Sequence, residues 1–172
     1  MEINGEQVNE TKTYAELGLS EAIMKAIGKK GYVQATPVQA GAIPYFMEWK
    51  DVIAKAPTGT GKTCAFGIPV AEQIRPDQKQ PQAVILAPTR ELAQQIAGDM
   101  EDLTYFMPAV KVACVYGGAN MDKQARRLAE GCQIVVATPG RLMDHYKHRS
   151  IDLSHVTQIV LDEADEIGRA HV

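Results

Sequence analysis

Ala56-Pro57-Thr58-Gly59-Thr60-Gly61-Lys62-Thr63 is the stretch around which the rest of the chain organises. It follows a short β-type run at 51–55 and precedes a segment of helical character at 64–74. That is the strand–loop–helix setting a phosphate-binding loop needs. Two closely spaced glycines let successive backbone N–H groups turn inward as an anion-binding nest, and the following helix adds the positive end of its dipole. In such a loop Lys62 would reach the outer phosphates of a nucleoside triphosphate, and the Thr63 hydroxyl would ligate Mg²⁺. Ala56 stands where the strict pattern begins with glycine. The competing reading is a glycine-rich turn with a chance lysine, and the flanking strand and helix weigh against it.

Outward from this loop the chain alternates. Further β-type runs lie at 83–87, 111–116, 133–137 and 158–161, with segments of helical period between them. Leu92, Ile96, Met100 and Leu103 fall on one helical face. Ser20 suits an N-cap for a helix at 21–30, which Gly31 would stop; Gly131 would end a helix at 121–130 in the same way. The polar, proline-containing stretch 75–82 reads as a loop. Strand and helix in this rhythm predict an α/β fold, a mostly parallel sheet with helices on both faces. The expected division is an N-terminal helical segment over 1–40, one α/β domain over 41–165 and an atypical tail over 166–172.

Composition is that of a globular domain: of 172 residues 45% are hydrophobic and 23% charged, enough apolar matter to fill a core. Lys and Arg number 18 against 21 Asp and Glu, which argues against gripping nucleic acid by bulk charge but not through a few placed groups. No apolar run approaches the length of a membrane span, and the N-terminus lacks the basic flank and apolar core of a signal peptide. Cys64, Cys114 and Cys132 are irregularly spaced in apolar surroundings and read as buried thiols of a reducing, cytoplasmic compartment rather than a zinc site or disulfide framework. His145 and His148 lack further ligands nearby and are read as a solvated helix face.

A nucleoside triphosphate site also needs a carboxylate for its metal. Ile159-Val160-Leu161-Asp162-Glu163 is an apolar strand ending in two acids, at the edge where ligands gather in such sheets. Asp162 would hold Mg²⁺, through water, and Glu163 would orient or deprotonate the attacking water. Alone, the acidic pair suits a solvated strand end equally well; together with the Lys62 loop it points to catalysis.

Asp162-Glu163-Ala164-Asp165 resembles the motif of the DEAD-box RNA helicases, and the chain from about Tyr14 to Asp165 resembles the first of that family's two RecA-like domains, through six motifs in order. The stretch Gly31-Tyr32-Val33-Gln34-Ala35-Thr36-Pro37-Val38-Gln39 is similar to the family's Q motif, in which the glutamine reads the adenine edge. Gln39 carries the donor and the acceptor this needs. The resemblance gives Tyr14 the role of an upstream aromatic that packs on the base. The family usually has Phe there, and Pro where this chain has Ala35. It also implies RNA-backbone contacts from Pro88-Thr89-Arg90, from Gly117-Gly118 and from Thr138-Pro139-Gly140-Arg141. Read alone, these are a helix start, a tight turn and a helix N-cap with Pro in the first turn. Contacts of that kind do not read bases, as sequence-independent RNA binding requires. Asp165 is assigned to coupling between the two domains.

The resemblance therefore implies ATP and Mg²⁺ as cofactors, RNA as substrate and a second RecA-like domain as partner. No Ser-Ala-Thr motif, second domain or arginine finger follows Asp165. An arginine finger is worth roughly 10³–10⁵ in rate, so this chain alone is expected to bind nucleotide weakly with little hydrolysis. The family's Ser-Ala-Thr strand lies between the phosphate-loop strand and the acidic strand. Its absence leaves three expectations: the two strands pair directly, another segment of the chain fills the gap, or a neighbour does so in a strand-swapped dimer. A non-catalytic nucleotide- or RNA-binding module and another phosphate-loop ATPase, such as a DNA helicase, are the competing functions.

Overall fold

The structure, a computed structural model, describes residues 2–4 and 12–169. Two compact units emerge: Met1–Gln73 together with Asp102–Met107, and Ile74–Glu101 together with Pro108–Val172.

In the first unit β1 (Glu2–Asn4) precedes a 3₁₀ turn (Tyr14–Leu17), α1 (Glu21–Lys29), α2 (Pro37–Met47), β2 (Ile53–Lys55) and α3 (Lys62–Glu72). Ser20 caps α1 as expected, its hydroxyl accepting from Ile23 N at 3.4 Å. Pro37 occupies the first turn of α2, where its missing N–H costs nothing. The short phosphate-loop strand β2 pairs in parallel with β1, Glu2 opposite Ile53 and Asn4 opposite Lys55. Ile3 anchors this pair by burying itself among Val38, Ala42 and Ala65.

The first unit runs on past residue 40 to Gln73. Helix α2 packs along α3, Ser20 N donates to Glu72 Oε1 at 2.6 Å, and Gln73 Nε2 donates to Phe46 O at 3.0 Å. These bonds tie the N-terminal segment to the helix that follows the phosphate loop. Besides its helices this N-terminal segment carries the strand β1. Residues 1 and 5–11 lie outside the described residues.

The second unit contains β3 (Ala83–Leu86), α4 (Arg90–Leu103, its last turn shared with the first unit), β4 (Val112–Val115), α5 (Met121–Ala129), β5 (Ile134–Ala137), α6 (Pro139–Lys147), β6 (Gln158–Leu161) and α7 (Ala164–Arg169). Its four strands form an all-parallel sheet in the order β4-β5-β3-β6. Parallel strands with helices on both faces lose their period-two alternation, and β5 is buried at every position. A core of Val84, Val115, Leu128, Val135, Ala137, Leu142 and Ile151 fills one side. On α4, Ile96, Met100 and Leu103 are buried as their spacing predicts.

Covering on both faces fails at β6. Gln158 and Val160 are buried, but Ile159 is 67% exposed and Leu161 52%, because no described element lies over them. Among the described residues β6 pairs only with β3, and no strand follows it. Among the described residues β2 does not pair with β6; its partner is β1, a segment of the same chain. Of the expected tail, 166–169 continue α7 as helix, and 170–172 lie outside the described residues.

Candidate functional site

In the phosphate loop Gly59 and Gly61 have φ of 82° and 85°, the left-handed region that glycine reaches without steric cost. Between them the Thr60 hydroxyl donates to Pro57 O at 2.7 Å and tightens the turn. Gly61 is the N-cap of α3, which places Lys62 and Thr63 in the first helical turn. A Cβ on Gly59 would meet nothing within 4 Å, so it is the backbone conformation rather than space that calls for glycine there. Ala56 is half-buried against the Ile3 cluster. There a methyl group packs, which accounts for the departure from glycine. The loop fits a nucleotide's phosphates, and the Thr63 hydroxyl is an oxygen donor of the type Mg²⁺ takes.

Gln39 is 2% exposed, as is Tyr14. The Gln39 carbonyl oxygen accepts from the Tyr14 hydroxyl and from Thr36 N, the latter at 2.9 Å, and its amide nitrogen donates to Gly61 O at 3.1 Å. One side chain thus links the 3₁₀ turn, the start of α2 and the phosphate loop. A Cβ on Gly61 would come within 2.3 Å of Gln39 Nε2, so glycine is required there for space as well as for φ. Burial holds the Tyr14 phenol up at about 12, and it acts as a neutral donor.

The acidic motif closes β6. Asp162 N donates to Leu86 O at 3.0 Å, extending the β3–β6 ladder by one bond, and Asp162 Oδ1 accepts from Glu163 N at 3.1 Å. Glu163 has φ of 49°, a conformation uncommon for any residue but glycine and of the kind that recurs at functional sites. Asp162 is half-buried, whereas Glu163 and Asp165 are exposed.

The three loops assigned to RNA follow β3, β4 and β5 of one parallel sheet, so all leave it at the strands' carboxyl ends. The Thr89 hydroxyl accepts from Leu92 N at 3.2 Å and caps α4. The Arg90 side chain is 54% exposed, and one of its terminal nitrogens lies 3.7 Å from where a Cβ on Gly118 would stand. Gly118 itself has φ of 83°. Pro139 and Gly140 open α6 after the N-cap Thr138. Arg141 differs sharply from Arg90: its side chain is 13% exposed, and it donates to Ala119 O at 2.9 Å and to Gln124 Oε1 at 3.2 Å. It holds the loop after Gly117-Gly118 against the first turn of α6.

Behind Arg141 lies a polar core that the sequence reading missed. His145 is fully buried rather than on a solvated face. Its Nε2 lies 3.1 Å from Gln124 Oε1 and its Nδ1 2.8 Å from Ser150 Oγ. Gln124 Nε2 is committed to Tyr116 O at 3.0 Å, so Oε1 must accept and His145 Nε2 must carry the proton. The Ser150 hydroxyl, beside Nδ1, also lies 3.1 Å from the His145 backbone oxygen, to which it donates. Burial, followed by the nearby Arg141 charge, depresses the His145 pKa, in keeping with that tautomer. The i, i+4 spacing of Arg141 and His145 was the available signal, since it places both on one face. Gln124, on another helix, offered none. Of the cysteines, Cys132 is buried and Cys64 and Cys114 half-buried, and none of the three is in a disulfide. Burial pushes Cys114 and Cys132 up to about 11. Among the described residues no helix is long and apolar enough to cross a membrane.

The family model for DEAD/DEAH box helicases matches residues 36–171. The chain is 48% identical over 157 residues to the ATP-dependent RNA helicase DeaD of Escherichia coli K12, covering 91% of this chain and 25% of that protein. It is 46% identical over 157 residues to the DEAD-box ATP-dependent RNA helicase CshA of Bacillus subtilis, covering 91% of this chain and 32% of that one. In three dimensions it resembles the crystal structure of a DEAD box protein from the hyperthermophile Methanococcus jannaschii. That match has a TM-score of 0.84 at 37% identity and covers 93% of this chain and 44% of that chain. The chain thus spans about a quarter to a third of the length of these curated relatives.

Proposed function

Because this chain belongs to the DEAD/DEAH box helicase family and has a RecA-like α/β fold, we propose that it is the nucleotide-binding and RNA-contacting part of an ATP-dependent RNA helicase motor. The observation that carries this reading is the left-handed Gly59 and Gly61 leading into α3 with Lys62 and Thr63 in its first turn. Open backbone amides, a helix N-terminus and an ammonium group there share one anion-binding task.

In the first unit Pro57, Thr58 and Thr60 shape the loop, Lys62 binds the outer phosphates, and the Thr63 hydroxyl is a ligand for Mg²⁺. Tyr14 and Gln39 recognise the adenine. In the second unit Asp162 has the role of a Mg²⁺ ligand through water, and Glu163 that of the base that accepts a proton from the attacking water. Bound Mg²⁺ supplies charge neutralisation at the phosphates. Thr89, Arg90, Gly118 and the start of α6 take the RNA backbone, while Asp165 transmits to a second RecA-like domain. Arg141, held by Gln124 and Ala119, orders the loop it grips as well as offering charge. Alone, the chain binds nucleotide with little turnover.

Calorimetric titration with Mg·ATP and Mg·GTP tests the reading. Adenine-selective binding that Lys62→Ala abolishes without loss of fold is the expected result; binding unaffected by Lys62→Ala would overturn it.

A further inference from the structure

The Gln39 amide is already spoken for. An amide oxygen has two lone pairs, and both are used, by the Tyr14 hydroxyl and by Thr36 N. The orientation is not interchangeable: Thr36 N–H requires an oxygen and Gly61 O requires an N–H. Of the two amide hydrogens one goes to Gly61 O, leaving one to donate. In this arrangement Gln39 can offer a base a hydrogen but cannot accept one.

Adenine presents an exocyclic amine, which needs an acceptor, whereas hypoxanthine presents a carbonyl at the same position, which needs a donor. To take the adenine amine, the Gln39 oxygen must release a partner. The backbone N–H of Thr36 is fixed at the start of α2, so the partner able to leave is the Tyr14 hydroxyl. We propose that Tyr14 is a specificity-determining residue whose hydroxyl, by occupying the Gln39 oxygen, sets how strongly the site prefers a 6-amino over a 6-oxo purine. This rests on the reading that Gln39 faces the base, and it assigns the discrimination to an oxygen atom that a phenylalanine at position 14 would lack. Adenine binding trades one hydrogen bond for another, while a 6-oxo purine can use the spare N–H with Tyr14 still in place. The same amide touches Gly61, so the exchange is made at a side chain already bonded to the phosphate loop.

Tyr14→Phe keeps the buried ring and deletes only the hydroxyl, leaving one Gln39 lone pair free. Titration of wild type and variant with Mg·ADP and Mg·IDP gives the affinity ratio directly. The variant's preference for ADP over IDP is expected to rise about three- to tenfold, the worth of one hydrogen bond gained without exchange. In a Gln39→Met background the same Tyr14→Phe change should leave the ratio where it was. A ratio unmoved by Tyr14→Phe overturns the proposal, and so does an equal rise without the Gln39 amide. If neither protein binds either nucleotide, the nucleotide-site reading itself falls and takes this proposal with it. Nucleotide bound at an unchanged ratio overturns the specificity role alone.

Discussion

The phosphate-loop unit and the four-stranded unit order their loops with the same device but build it on very different sheets. Gln39 takes two donors on its carbonyl oxygen, from Tyr14 and Thr36, and gives its nitrogen to Gly61 O. Gln124 takes two donors, from Arg141 and His145, and gives its nitrogen to Tyr116 O. Each glutamine ties a glycine-bearing loop to the start of a helix. A buried amide whose oxygen is doubly satisfied holds position well, because losing either donor leaves part of a polar group unpaired. Beneath them the sheets diverge: β5 is buried throughout between two neighbours, whereas every residue of β2 is exposed and Ile53 is 62% accessible. Local polar anchoring thus does not depend on sheet depth, but resistance to unfolding should.

Isoleucines placed along the strands sharpen this contrast. Ile134→Ala, in the buried strand β5, should cost about 2–5 kcal/mol in denaturant unfolding; a loss comparable to that at an exposed strand position would mean that the four-stranded core is loosely packed. Next in size, His145→Leu should cost about 1–3 kcal/mol by leaving the Gln124 oxygen one donor short, while the Ser150 hydroxyl keeps the backbone oxygen of residue 145. The same histidine gives the second unit a pH signature. Its pKa is depressed in the folded state below the ordinary 6.5, so the unfolded chain takes up the proton first. Stability should be fully present above about pH 6.5 and fall as pH drops towards the folded pKa. His145→Leu should flatten that segment of the curve, and a slope unchanged in the variant would assign it to other groups.

A smaller effect is expected from Ile3→Ala. It should weaken the β1–β2 pair, read as faster amide exchange in β2, while the second unit's exchange stays unaltered; uniform acceleration would show that the units unfold together. Smallest of all, Ile53→Ala and Ile159→Ala should lie within about 0.5 kcal/mol of wild type. A larger loss at Ile159 would show that its face is covered in solution.

Strands β3 to β6 were legible because each is a compact apolar run, and the helix faces because Ile96, Met100 and Leu103 recur at helical spacing. The phosphate loop was legible for a different reason: its glycines, lysine and threonine act through local backbone geometry, which neighbouring residues dictate. Strand β1 escaped, since three residues with a single apolar side chain carry no periodic signal and gain their order only from the cluster that receives Ile3. His145 was misread because a polar ring on a short helix looks solvated until two partners, one from another helix, are brought against it.

By itself, then, the sequence determined the alternation of strands and helices, the phosphate loop and the acidic end of β6, all of which are set by contacts within a few residues. The tertiary structure alone decided that β1 partners β2, that Gln39 spends its oxygen on Tyr14, and that Gln124 and His145 stand behind Arg141. Those pairings join residues far apart in the chain. Each depends on which buried polar atoms find a partner once the chain has closed, a condition no local pattern encodes.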